Sequence, residues 1–121
     1  MKLRIKGNSL RYRLTRSDMA QIINQGFIKE TVEFGDDNLV YVLQSTSAKE
    51  LTADFKNNII SVYIPERMIT KLAETDEVGF ENTSGKLQLL VEKDFVCLDN
   101  VDDDQTDNYP NPLAFIGHAQ C

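Results

Sequence analysis

Tryptophan is absent, histidine occurs once and cysteine twice in the 121 residues. With aromatics at only 8%, whatever core forms must be largely aliphatic. Two thiols, Cys97 and Cys121, do not make a disulfide framework; in a reducing compartment they are free thiols or metal ligands. No apolar run approaches the ~20 residues that span a bilayer. The opening MKLRIKGNS has cations but no apolar h-region, so no signal peptide is expected and the expected location is the cytoplasm. Hydrolase, zincin and phosphate-loop signatures are all missing. A single histidine close to the C-terminus is a poor general base, and Cys97 has no cation beside it to activate it. The expectation is a binding protein, not an enzyme.

Charge of one sign is missing at each end. Residues 1–16 carry Lys2, Arg4, Lys6, Arg11, Arg13 and Arg16 and no acid. Residues 94–121 carry Asp94, Asp99, Asp102, Asp103, Asp104 and Asp107 and neither lysine nor arginine. The net charge of -6 hides this polarity, which says more about partners than the isoelectric point does.

What is present is alternation. Leu3 and Ile5, then Leu10, Tyr12 and Leu14, share one face, and Lys2, Arg4, Lys6, Arg11 and Arg13 share the other. This is the period of a half-buried strand. Gly7-Asn8 between the two runs reads as a hairpin turn. Thr15 to Asp18 offers a helix cap, Met19, Ile22 and Ile23 follow at helical spacing, and Gly26 is a natural stop. Phe27–Phe34 and Leu39–Leu43 then alternate around Gly35. The order is strand, strand, helix, strand, strand.

The same layout returns fifty residues on. Lys6 corresponds to Lys56, Asn8 to Asn58, Leu10 to Ile60, Leu14 to Ile64, Ile22 to Leu72, Ile28 to Val78 and Gly35 to Gly85. Pro65 stands where the first turn of a helix tolerates it. One supersecondary unit used twice explains the match. The predicted fold is α+β, mainly β: ββαββ units at 1–46 and 49–93 sharing one domain over 1–93, then an irregular acidic tail over 94–121.

ISVYIPERMITKLAETDEVGFENTSGKLQLLVEKD, with its strand ending in Ile64-Pro65, short helix, Gly85 turn and closing strand Leu87–Val91, resembles the AbrB/MazE family. Lys6-Gly7-Asn8-Ser9-Leu10 followed by Tyr12-Arg13-Leu14 resembles the GNS turn and strand of MazE-type antitoxins. The resemblance covers residues 2–93 and implies a swapped-hairpin β-barrel, here built by one chain from its own two units. It also implies DNA binding through the cationic face, and it carries Arg4, Asn8, Ser9 and Arg13 onto that surface. The whole chain, tail included, is similar as well to a family of small uncharacterised bacterial proteins.

Read from the residues themselves, Arg4, Lys6, Asn8, Ser9, Arg11 and Arg13 are the candidate nucleic-acid or anion-binding set. Arginine forks suit phosphates and guanine edges, and Asn and Ser at the tip can donate to phosphates. The second unit has Asp54, Ile59, Ser61 and Tyr63 at the matching positions, so only one unit keeps the binding chemistry. The plain alternative is a solvated face that keeps a sheet edge soluble.

Two further readings concern the tail. As an acidic arm it would dock on a basic face, either its own Arg4, Arg11 and Arg13 or a partner's, which would make the protein an interaction module. Cys97, His118 and Cys121 could instead supply ligands for zinc. DNA or an acidic protein surface are the expected partners, no membrane is expected, and monomer and dimer both stay open.

Overall fold

The computed structural model describes residues 1–95 and 106–110. Strand β1 (Lys2–Lys6) and β2 (Ser9–Leu14) are followed by helix α1 (Arg16–Gln25), then β3 (Phe27–Glu33) and β4 (Asn38–Thr46). The second half repeats the order with β5 (Thr52–Lys56), β6 (Ile59–Pro65), α2 (Glu66–Glu74), β7 (Gly79–Ser84) and β8 (Leu87–Lys93). Both halves are therefore ββαββ, and the fold is mainly β.

Local chemistry sets the ends. The Thr15 side chain accepts from the Asp18 amide at 3.2 Å, and Asp18 Oδ2 accepts from the Thr15 amide at 2.9 Å. This reciprocal box satisfies amides that a helix start leaves without partners. Gly26 closes α1 in the left-handed region at φ 84°, where a Cβ is costly. In the β1-β2 turn Gly7 alone takes positive φ; in the corresponding β5-β6 turn Asn57 and Asn58 both do, and tight hairpin turns favour such positive φ. Pro65, with φ −58°, is the last residue of β6 and the N-cap of α2.

The halves do not form separate sheets. One sheet runs β1-β2-β8-β7 and the other β3-β4-β6-β5. Each sheet thus takes one hairpin from each half, joined through a central parallel pair, β2 with β8 and β4 with β6. The registers of the two sheets correspond. Ser9 faces Gln88, and Ile59 faces Val40; adding fifty to 9 gives 59, and adding forty-eight to 40 gives 88. The swapped-hairpin barrel that the resemblance implies is not closed by strand pairing. The described residues make two four-stranded sheets, with β1, β7, β3 and β5 as edges. The seams are bridged by side chains rather than ladders. Asn82 Nδ2 donates to the Leu51 carbonyl at 2.8 Å, and Tyr41 Oη donates to the Met1 carbonyl at 3.1 Å.

The fifty-residue match also needs a correction after the second helix. Ile28 opposes Leu43, and it is Phe80, not Val78, that opposes Val91 in the corresponding place. Four residues, 75–78, join α2 to β7, whereas Gly26 alone joins α1 to β3. The extra length moves Val78 into solvent, 45% exposed, and brings Phe80 against the core.

Between the sheets, the inward positions of both halves merge. Tyr12 and Val62, Leu14 and Ile64, and Leu43 and Val91 are corresponding pairs, and all are buried. Met19 and Ile22 of α1, and Ile69 and Leu72 of α2, complete this core from the strand ends remote from the hairpin tips. Each fully buried aliphatic side chain contributes roughly 1.5–3 kcal/mol. Tyr12 Oη reaches across from one sheet to the other and donates to the Ile60 carbonyl at 3.3 Å. Burial pushes its hydroxyl pKa well above the ordinary tyrosine value, because the phenolate would be stranded in an apolar interior. No helix among the described residues is long and apolar enough to cross a membrane.

Candidate functional site

Because β2 and β8 run parallel, the turn of the first hairpin and the turn of the last lie side by side. Asn8 Nδ2 donates to the Lys86 carbonyl at 2.7 Å, and the Gln88 amide donates to the Asn8 carbonyl at 3.0 Å. Ser9 Oγ donates to the Lys6 carbonyl at 2.6 Å, closing the first turn on itself. Residues eighty apart in sequence are tied into one joined tip. Lys6, Gly7, Asn8, Ser9, Lys86 and Gln88 line a hollow of about 390 Å³ there.

Cross-strand registers put the cations of β1 and β2 on one outer face. Lys2 faces Arg13, Arg4 faces Arg11 and Lys6 faces Ser9. The next strand inward, β8, brings Glu92 opposite Arg13. Arg13 Nε donates to Glu92 Oε1 at 3.0 Å, and Arg11 Nε lies 3.5 Å from the same oxygen. Lys2 Nζ lies 3.0 Å from Asp94 Oδ2. That oxygen accepts no hydrogen bond of good geometry among the described residues, so the contact is an ion pair with a buried carboxylate. The cationic strip is thus half neutralised by its own sheet. Among the described residues of the strip, Arg4 and Lys6 have no acid partner, and neither does Lys86 beside them.

Each proposed ligand of the tip has a definite place. Lys6 and Arg4 are exposed on the outer face. Asn8 and Ser9 sit at the tip, where their side-chain donors are engaged by the Lys86 and Lys6 carbonyls. Arg11 and Arg13 are partly buried beside Glu92. Lys86 and Gln88 were not anticipated from the sequence. Strand alternation tells which face a residue takes and not which strand lies next to it. The signal that would have found them is the repeat itself: exchanging hairpins between units puts the Gly85-Lys86 turn against Gly7-Asn8.

The described part of the tail lies at the other end of β2. The Arg16 amide donates to the Asp107 carbonyl at 3.1 Å, and Arg16 Nη2 donates to the Thr106 carbonyl at 3.0 Å. Asp107 Oδ1 accepts from the Ser17 amide at 3.2 Å. Hydrogen bonds from the Thr15 and Ser17 side chains hold the Asp107 carboxyl below the usual carboxylate range, since they favour the charged form. Tyr109 pairs with Phe95 in a parallel bridge and lies 5.2 Å from Lys93 Nζ, ring centroid to nitrogen. Residues 106–110 therefore contact the start of α1 and the end of β8; Asp99, Asp102, Asp103 and Asp104 of the acidic tail lie outside the described residues. Cys97, His118 and Cys121 lie outside the described residues. Among those described, no cluster of His, Cys, Asp or Glu could hold a metal ion.

Residues 1–113 match the model of DUF7009, a family of unknown function. The chain belongs to this family. Among curated proteins and among solved structures, none matches it. The matched range takes in both sheets and the docked segment 106–110.

Proposed function

We propose that this DUF7009 member is a binding protein that engages a polyanion, nucleic acid first, through the joined tip of β1-β2 and β7-β8. The single observation that carries the reading is the set of cations without acid partners among the described residues. Lys6 and Lys86 flank the hollow, Arg4 lies next along β1, and Asn8 and Ser9 hold both turns rigid. Phosphates are recognised by such clusters because each cation that meets one releases a counterion. The exchange of hairpins between halves also supports the AbrB/MazE likeness, with one chain carrying both copies of a swapped-hairpin plan. The matching face of the other sheet, with Asp54, Ser61 and Tyr63 outward and Asp54 bound by Tyr63 Oη at 3.0 Å, carries no such cluster. This favours a one-sided contact and weak, salt-sensitive affinity over reading of a palindrome, which needs both halves.

The test is fluorescence polarisation of a labelled mixed-sequence duplex in low salt. Binding that rises steeply as salt falls, and that drops at least tenfold in Lys6→Glu/Lys86→Glu, is the expected result. No binding at 20 mM salt would overturn it. A second reading is favoured by the tail contact at Arg16 and Asp107: an interaction module whose acidic tail is held on its own α1. Its mark would be a partner protein captured by the intact chain but not by Asp107→Ala.

A further inference from the structure

All four hairpin turns lie at one end of the molecule, away from the helices, because the two central strand pairs are parallel and start at the turns. Between the sheets at this end is an apolar mouth of about 580 Å³. Corresponding residues of the two halves line it: Ile5 with Phe55, Leu10 with Ile60, and Leu39 with Leu87. Ile5 is 58% and Phe55 65% exposed, far more than a core position would be. Ala53 and Asp54 also border the mouth, but the Asp54 carboxylate is engaged by Tyr63 on the outer face.

The mouth and the polar hollow at the joined tip are separated by the thickness of one sheet. Lys6 follows Ile5, Ser9 precedes Leu10, and Lys86 and Gln88 flank Leu87. Successive strand residues point to opposite faces, so the same strand ends present leucine and isoleucine inward and lysine outward. The opposite pair of turns carries Asp36 and Asp37 against a single lysine, Lys56, so its charge is net negative and the excess of positive charge lies on the Lys6–Lys86 lip.

We propose that the mouth and the Lys6–Lys86 lip together form a binding site for an anionic amphiphile, a free long-chain carboxylate, with its alkyl chain between the sheets and its head on the two lysines. The proposal rests on the reading of Lys6 and Lys86 as anion ligands and adds the ligand class. Pockets of this size and apolar character with a few polar groups at one side are what small-molecule sites look like. The positive lip selects against neutral and cationic heads. Since head and phosphates use the same lysines, the amphiphile competes with nucleic acid, which makes the tip responsive to a small ligand.

The experiment is calorimetric titration of the full chain with dodecanoate, dodecanol and dodecyltrimethylammonium, the two ions below their micelle concentrations and the alcohol below its solubility limit. Dodecanoate should bind at least tenfold tighter than the other two. Lys6→Gln/Lys86→Gln should abolish that preference while keeping chain-length dependence. Shortening the chain should weaken binding by about fourfold per methylene, and dodecanoate should displace a labelled duplex. Equal affinity for all three heads, or no binding at all, overturns the proposal. So does a dimer that Phe55→Asp disperses and that ignores dodecanoate, since a second copy would then fill the mouth. Duplex binding without dodecanoate binding refutes this inference alone; loss of both refutes the polyanion reading as well.

Discussion

Replacing Glu92 with glutamine removes one negative charge and leaves the side-chain shape. In the native face that carboxylate accepts from Arg13 Nε at 3.0 Å and holds Arg11 Nε at 3.5 Å. Three cations, Arg4, Lys6 and Lys86, then remain to meet phosphates. Each phosphate neutralised contributes about 0.9 to the slope of log affinity against log salt. Three contacts predict a slope of about 2.7, and release of Arg11 and Arg13 in Glu92→Gln raises it to about 4.5. Between 50 and 200 mM salt the native chain should lose about 40-fold in affinity and the variant about 500-fold. The structural cost is modest. An ion-paired hydrogen bond gives way to one from the same guanidinium to a neutral amide oxygen, about 1 kcal/mol at a partly exposed site. Polarisation titrations of a labelled duplex across that salt range read the slopes directly, and urea unfolding checks the stability. Equal slopes for both proteins would refute the claim that Glu92 masks the two arginines.

Three other outcomes follow from particular contacts. A methyl group on Gly79 would lie 2.7 Å from Glu92 Cβ and from the Val91 carbonyl, so Gly79→Ala should cost roughly 1–3 kcal/mol in urea unfolding; an unchanged midpoint would count against the β7–β8 pairing. Tyr12→Phe removes the hydrogen bond to the Ile60 carbonyl and should cost about 0.5–1.5 kcal/mol, with duplex binding intact. The Asp107 carboxyl titrates below its unfolded value, so its hold on α1 is fully present above pH ~4 and is lost as pH falls through the lower folded pKa. The Ser17 amide resonance should report that loss on acidification and should not move in this way in Asp107→Asn.

Much of the fold could be read before any coordinates. Alternation in Leu3 to Leu14 placed Tyr12 and Leu14 inside, and both are buried. Thr15, Asp18 and Gly26 carry their cap chemistry in their own side chains and backbone freedom, so the helix ends were legible. The duplication was legible because packing constrains apolar positions in both copies. Strand neighbours were not. Nothing local in Ser9–Leu14 announces Leu87–Lys93 as its partner, and the exchange of hairpins follows from long-range pairing. For that reason Lys86 and Gln88 were missed, and Glu92 went unrecognised as the acid that quiets Arg11 and Arg13. The slip at Val78 has the same origin. Three more connecting residues after a helix one residue shorter shift the register by two, which preserves the alternation that sequence reading relies on.

The most direct measurement is an amide-resolved NMR titration of the chain with a short duplex in low salt. The account predicts that Lys6, Asn8 and Ser9 move together with Lys86 and Gln88, with a single affinity, while α1 and α2 stay still. Shifts confined to the first hairpin, or spread over the helices, would contradict a binding tip assembled from both ends of the chain.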